Sequence, residues 1–118
     1  MVLVDTSVWI HHFRSSLDRL KSYLLEAQVM VHPFVIGELA CGNLKNRSEI
    51  LSLLKSLPST SLVKDDDILF FIERQNLMGR GLGLIDIHLL ASAKLAHVSL
   101  WTEDKKLDAA ARGLDLSI

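Results

Sequence analysis

Apolar and polar positions change their period along this chain, and each change marks an element. Val2-Leu3-Val4 is an unbroken apolar run that ends at Asp5, the pattern of a short strand covered on both faces. Either Thr6 or Ser7 can then cap the helix that Val8-Trp9-Ile10 begins, by accepting one of its orphan N–H groups. After a break at Arg14-Ser15-Ser16, Leu17, Leu20, Tyr23, Leu24 and Leu25 recur at helical spacing toward Ala27. Val29-Met30-Val31 reads as a second strand, and Pro33, a residue favoured in a first helical turn, precedes a helix over 34–42.

Ile50, Leu51, Leu54 and Leu57 share one face of a further helix that Pro58 stops. Ser61-Leu62-Val63 predicts a third strand. Asp65-Asp66-Asp67 opens a helix toward Leu77, at the end where the helix dipole favours negative charge. A glycine loop, 79–83, leads into a Leu- and Ala-rich helix over 85–96. Val98 to Trp101 is a strand, 104–112 a helix closed by Gly113, and 114–118 a last edge strand.

Short apolar strands that alternate with helices predict a parallel sheet with helices on both faces. The expectation is a single α/β domain over residues 1–118: three layers, α/β/α, around a short, mainly parallel sheet of four to five strands. The strand at 2–4 should be central, because an N-terminal strand is held only where the fold closes over it. In such a sheet a site lies beyond the carboxyl ends of the strands.

Composition narrows the function only a little. The 118 residues carry 13 Lys and Arg against 14 Asp and Glu, a net charge of −1. Bulk positive charge is therefore excluded as a means of holding nucleic acid, which would need local basic patches or a metal. Cys41 is the one cysteine, so no intrachain disulfide forms, and it reads as a small buried apolar residue. No apolar run reaches membrane-spanning length and no basic segment precedes the first apolar run. A reducing cytoplasm is the expected location.

Four acids stand out by their surroundings. Asp5 ends the first strand. Glu38 is the only charge in Pro33 to Gly42, Asp86 lies in Ile85-Asp86-Ile87, and Asp104 follows Thr102-Glu103 after the fourth apolar strand. Each has a plain alternative: a cap for Asp5 and Asp104, a solvent-facing glutamate for Glu38, a favourable first-turn charge for Asp86. Together they place acids at two strand ends and in two apolar helices of one domain. Gathered carboxylates repel and raise one another's pKa unless a cation joins them. Oxygen ligands alone select Mg2+ or Mn2+ over zinc, and such ions serve phosphodiester hydrolysis by activating water and neutralising phosphoryl oxygens.

Asp5-Thr6-Ser7 after a strand, the Glu38 helix, Asp86 within 83–91, and Thr102-Glu103-Asp104 closely resemble the four acidic motifs of PIN-domain ribonucleases. More narrowly, the chain resembles the VapC toxins of VapBC toxin–antitoxin modules, along nearly its whole length. Val8-Trp9-Ile10 and His32 to Leu39 add to the likeness. The resemblance implies a Mg2+- or Mn2+-dependent endoribonuclease that cuts tRNA or ribosomal RNA and stops translation. It also implies a homodimer and inhibition by a VapB-like antitoxin. By the same resemblance Asp5, Glu38, Asp86 and Asp104 are the metal-binding, catalytic acids, with Thr6, Ser7 and Thr102 supporting them. Asp108 stands near the fourth motif as a further possible ligand.

Other features carry less. The glycine loop departs from G-x-G-x-x-G, so it is no dinucleotide site. Arg80 within it, and Lys105 and Lys106, are candidate RNA phosphate contacts beside a plain reading as solvated surface. His11, His12, His32, His88 and His97 show no zinc spacing with Cys41. An aspartyl phosphatase would want a second aspartate two residues after Asp5, where Ser7 stands, and a phospho-receiver would want a preceding acidic pair. A non-catalytic interaction module on the same fold remains the other reading.

Overall fold

The computed structural model describes all residues, 1–118. In chain order it runs β1 (Val2–Val4), α1 (Thr6–Ser15), α2 (Asp18–Leu25), β2 (Val29–Met30), α3 (Pro33–Cys41), α4 (Arg47–Ser56), α5 (Asp65–Arg74), α6 (Leu84–Ala96), β3 (Ser99–Trp101) and α7 (Lys105–Gly113). The strands form one parallel sheet in the order β2-β1-β3. The strand at 2–4 is thus central, with all three side chains buried.

The sheet is narrower than the expected four to five strands. Where 61–63 was expected to form a strand, the partner of Val31 is instead Ser59, as a single bridge, and on the other side Leu100 bridges only Ser117 of the expected edge strand 114–118. Each flank holds one bridge rather than a ladder. The chain at Ser59 comes straight from a stop at Pro58 and turns away as Ser61 carbonyl takes the Ser92 hydroxyl of α6 at 3.2 Å.

Packing follows the apolar stripes. Leu3, Val4, Val8, Trp9, Leu20, Leu89, Leu90, Leu100 and Leu107 are wholly or almost wholly buried, joining sheet and helices in one core. Cys41, expected inside, is exposed, because it is the final residue of α3 and the core face of that helix is Val35 and Leu39.

His32 is the least accommodated member of the interior. It is fully buried, and as the N-cap of α3 its Nδ1 accepts the Phe34 N–H at 2.9 Å. An accepting Nδ1 places the ring proton on Nε2, which has no partner. Burial, then the neighbouring His88, pushes its pKa down to about 4. A depressed histidine is neutral in the fold and takes up its proton on unfolding, so its favourable contribution is complete above the unfolded value near 6.5. That contribution is lost as pH falls from there toward 4. The expected loss is about 3 kcal/mol by pH 4, at about 1.4 kcal/mol per pH unit. Urea unfolding across that range checks it: His32→Asn, which keeps a cap, should be less stable at pH 7 but show a flatter pH slope.

Candidate active site

The register of the sheet builds the centre of the site. Val4 pairs with Trp101, and the ladder extends one residue further as Asp5 N–H donates to Trp101 carbonyl at 2.9 Å. Asp5 and Thr102, the residues just past the two strand ends, are thereby side by side. The Thr102 hydroxyl donates to Asp5 Oδ2 at 2.7 Å and accepts the Asp104 N–H at 3.0 Å. The Ser7 hydroxyl donates to the same Asp5 oxygen at 2.8 Å and accepts the Glu103 N–H at 3.0 Å. Two hydroxyls thus tie the first acid to the backbone of the 102–104 turn.

Either Thr6 or Ser7 was open as the cap of α1, and the family resemblance gave both of them, with Thr102, a supporting role beside the acids. Asp5 takes the N-cap position of α1 instead, without a side-chain cap bond, and both hydroxyls lie inside the first turn and serve carboxylates. Thr6 Oγ1 donates to Glu38 Oε1 at 2.7 Å, across the contact of α1 with α3. Glu38 is exposed, so its apolar sequence neighbours reflect the buried faces on either side of it. Asp86 closes the start of α6, its Oδ2 accepting the Gly83 N–H at 3.0 Å. Asp104 caps α7, its Oδ1 accepting the Leu107 N–H at 2.9 Å. The cap read as the plain alternative for Asp104 is therefore real, and Asp86, read as a favourable first-turn charge, bonds the N-cap backbone as well; each uses one oxygen only.

Each of the four carboxylates gives one oxygen to the protein and keeps the other free of hydrogen bonds: Oδ1 of Asp5, Oε2 of Glu38, Oδ1 of Asp86 and Oδ2 of Asp104. None of them pairs with a cation; the ion pairs of the chain are His11–Glu103 and Arg112–Asp108. Asp86 feels all of its fellows. Burial is the main cause that raises its pKa, the Gly83 N–H opposes it, and Asp5, Asp104 and Glu38 raise it further. Such a set of carboxylate oxygens with uncompensated charge suits a hard divalent cation. As the side chains stand, no three acidic, histidine or cysteine groups reach a common ion.

Asp108 is not part of this group: its Oδ2 holds Arg112 at 2.8 Å, one turn along α7. His11 is nearer than its sequence position suggested. Its Nδ1 lies 2.6 Å from Glu103 Oε2, linking α1 to the turn whose backbone Ser7 fixes. The only hint in the sequence is that His11 lies one helical turn after Ser7. His88 lies buried against Phe34, ring centroids 4.8 Å apart, and faces the core.

Thr102→Val tests this network. It removes the donor to buried Asp5 and the acceptor for Asp104 N–H at once. The expected cost is about 1–3 kcal/mol in urea unfolding, with Thr102→Ser restoring most of it. Equal stability in the valine variant would mean that the hydroxyl holds neither acid.

Comparison with known proteins gives the family. The sequence model of the PIN domain matches residues 2–113, and the chain belongs to the PIN domain family. Among curated proteins, Ribonuclease VapC32 of Mycobacterium tuberculosis, in two strains, is 46% identical over 111 residues, spanning 93% of this chain and 90% of the relative. Among solved structures, PAE2754 from Pyrobaculum aerophilum superposes with a TM-score of 0.70 at 18% identity, over 99% of this chain and 87% of that one. A chain of a toxin–antitoxin complex from Klebsiella pneumoniae gives 0.68 at 24% identity, over 96% and 94% of the two chains. The last two share the fold, a parallel sheet flanked by helices.

Proposed function

We propose that this protein is a divalent-metal-dependent endoribonuclease that acts as the toxin of a toxin–antitoxin pair, cutting structured RNA such as tRNA or ribosomal RNA. The observation that carries the reading is the gathering of Asp5, Glu38, Asp86 and Asp104 with no counter-cation, each keeping one free oxygen. The 46% identity to a ribonuclease over nearly the whole chain supports it.

In this reading those four acids would hold Mg2+ or Mn2+, with Glu38 and Asp104, both exposed, free to turn toward it. The ion supplies positive charge that acidifies water and neutralises the phosphoryl oxygens of the scissile bond. The chain's own work is positioning. Ser7 and Thr102 clamp one oxygen of Asp5, which leaves its other oxygen free for an ion. Thr6 does the same for Glu38, and Gly83 N–H for Asp86. Partial burial of Asp86 keeps bulk water from screening the site, which strengthens its electrostatics. The bond broken is P–O3′, and the water oxygen joins phosphorus.

Toxins of this kind require a partner that silences them. The likeness to a chain of a toxin–antitoxin complex supports a separate antitoxin protein. A homodimer belongs to the same reading, and Leu69 and Phe70 of α5, 63% and 66% exposed, offer it apolar surface. No helix is long and apolar enough to cross a membrane, and a cytoplasmic site of action goes with translation-related RNA.

Mapping 5′ ends of cellular RNA after induction tests the reading. The wild-type protein should create new ends at discrete positions in tRNA or ribosomal RNA, and Asp5→Asn should create none. Identical ends from both would return the chain to the alternative, an interaction module in which Asp86 and Asp104 serve as helix caps alone.

A further inference from the structure

Gly81 sits in the loop between α5 and α6 with φ +75°, a backbone region open to glycine but strained for other residues. A Cβ there would lie 2.9 Å from both Cδ and Nζ of Lys106 and 3.3 Å from its Cε. The Lys106 side chain is therefore laid against the bare backbone of Gly81, where a Cβ would push its flexible end aside. The two partners belong to the segments that deliver two of the four acids. Gly81 lies two residues before Gly83, whose N–H holds Asp86. Lys106 lies two residues after Asp104, in the first turn of α7.

The ammonium so placed pairs with no acid, since the chain's ion pairs are His11–Glu103 and Arg112–Asp108. A lysine has a long flexible stem, and one beside a group of unpaired carboxylates would gain by swinging onto them. Here the stem lies along the glycine loop and its exposed ammonium meets no acid. Arg80, next to Gly81, and Lys105, next to Lys106, are likewise exposed and unpaired. Arg80 and Lys105 are thus the chain neighbours of the one contact between the loop and α7, on a chain whose net charge is −1. A local basic rim beside an acidic centre matches a polyanion that must cross that centre.

We propose that Lys106, braced across Gly81, and Arg80 form a clamp for the RNA phosphate next to the one being cut. This rests on the ribonuclease reading, and it gives the glycine loop a use: holding the substrate in step with Asp86 and Asp104. Lys106 is a substrate-binding and positioning residue, and the chemistry stays with the acids.

The test uses a fluorescein-labelled RNA stem-loop, with binding followed by anisotropy in EDTA and cleavage followed in Mn2+. Lys106→Met keeps the stem and drops the charge. It should raise the dissociation constant and KM about five- to tenfold, leave kcat within about twofold, and reduce the slope of log affinity against log salt by about one. Lys106→Arg should restore affinity. Gly81→Ala should displace the stem, raise KM and lower the melting temperature, whereas Lys106→Met should leave that temperature unchanged.

If Lys106→Met binds and cuts like wild type with an unchanged salt slope, the clamp is wrong. If wild type binds RNA with the expected Lys106 effect but never cuts it, the ribonuclease reading fails and, with no phosphate being cut, the clamp as proposed is overturned, leaving Lys106 an RNA contact only. If wild type neither binds nor cuts, both fall. A loss of affinity seen only with a labelled polyglutamate peptide would assign the rim to an acidic protein segment and overturn the proposal.

Discussion

Asp86→Asn should reduce RNA cleavage about a thousandfold or more, while the metal-free protein becomes no less stable than wild type. The two halves of this expectation have one cause. Asp86 is partly buried, and that burial, helped by Asp5, Asp104 and Glu38, raises its pKa against the opposing Gly83 N–H. Ionising it therefore costs the fold some stability when nothing positive is bound. Asparagine removes the charge and can still accept the Gly83 N–H through its amide oxygen. Thermal unfolding in EDTA separates the possibilities: a rise or no change marks an acid kept for chemistry, and a clear drop marks a structural cap.

Saturating Mn2+ should raise the melting temperature of the wild-type protein, and EDTA should abolish cleavage reversibly. An ion at about 100 times its dissociation constant stabilises the folded state by about 2.7 kcal/mol, which for a chain this size is a rise of about 10 °C. The gain arises because the unfolded chain scatters the four acids that the fold gathers. Asp86→Asn should show a much smaller rise. Calorimetric scans with and without Mn2+ decide it; equal midpoints in wild type would remove the metal site from consideration.

Some of this was legible before any coordinates. The α/β order, the central place of residues 2–4 and every helix followed from runs, periods and stops. Acids at strand ends or alone in apolar helices marked the candidate site. What could not be read was pairing. Asp5 and Thr102 share a layout in the sequence, but only the register Val4 to Trp101 makes them neighbours. Local rules offered the hydroxyls of Thr6 and Ser7 as caps, and the family resemblance offered them as supports of the acids, but neither named their partners. Their partners, Glu38 and the turn at Glu103, come from α3 and from the far end of β3. His11 was passed over for the same reason, its partner Glu103 lying 92 positions away. The sheet edges were overstated because an apolar triplet such as 61–63 does not reveal whether a neighbouring strand runs long enough to pair with it.

The bond between Thr102 and Asp5 spans 97 positions of chain, and that separation has a temporal meaning. A ribosome makes Asp5, Glu38 and Asp86 well before β3 exists, and β1 lacks one of its two flanking strands until then. Contacts between distant segments form late, so a growing chain carries its acids apart and unclamped until residues 99–107 emerge. If this protein cuts the RNA that translation depends on, the sheet order itself delays that activity, and the ribosome producing the enzyme is spared while it works.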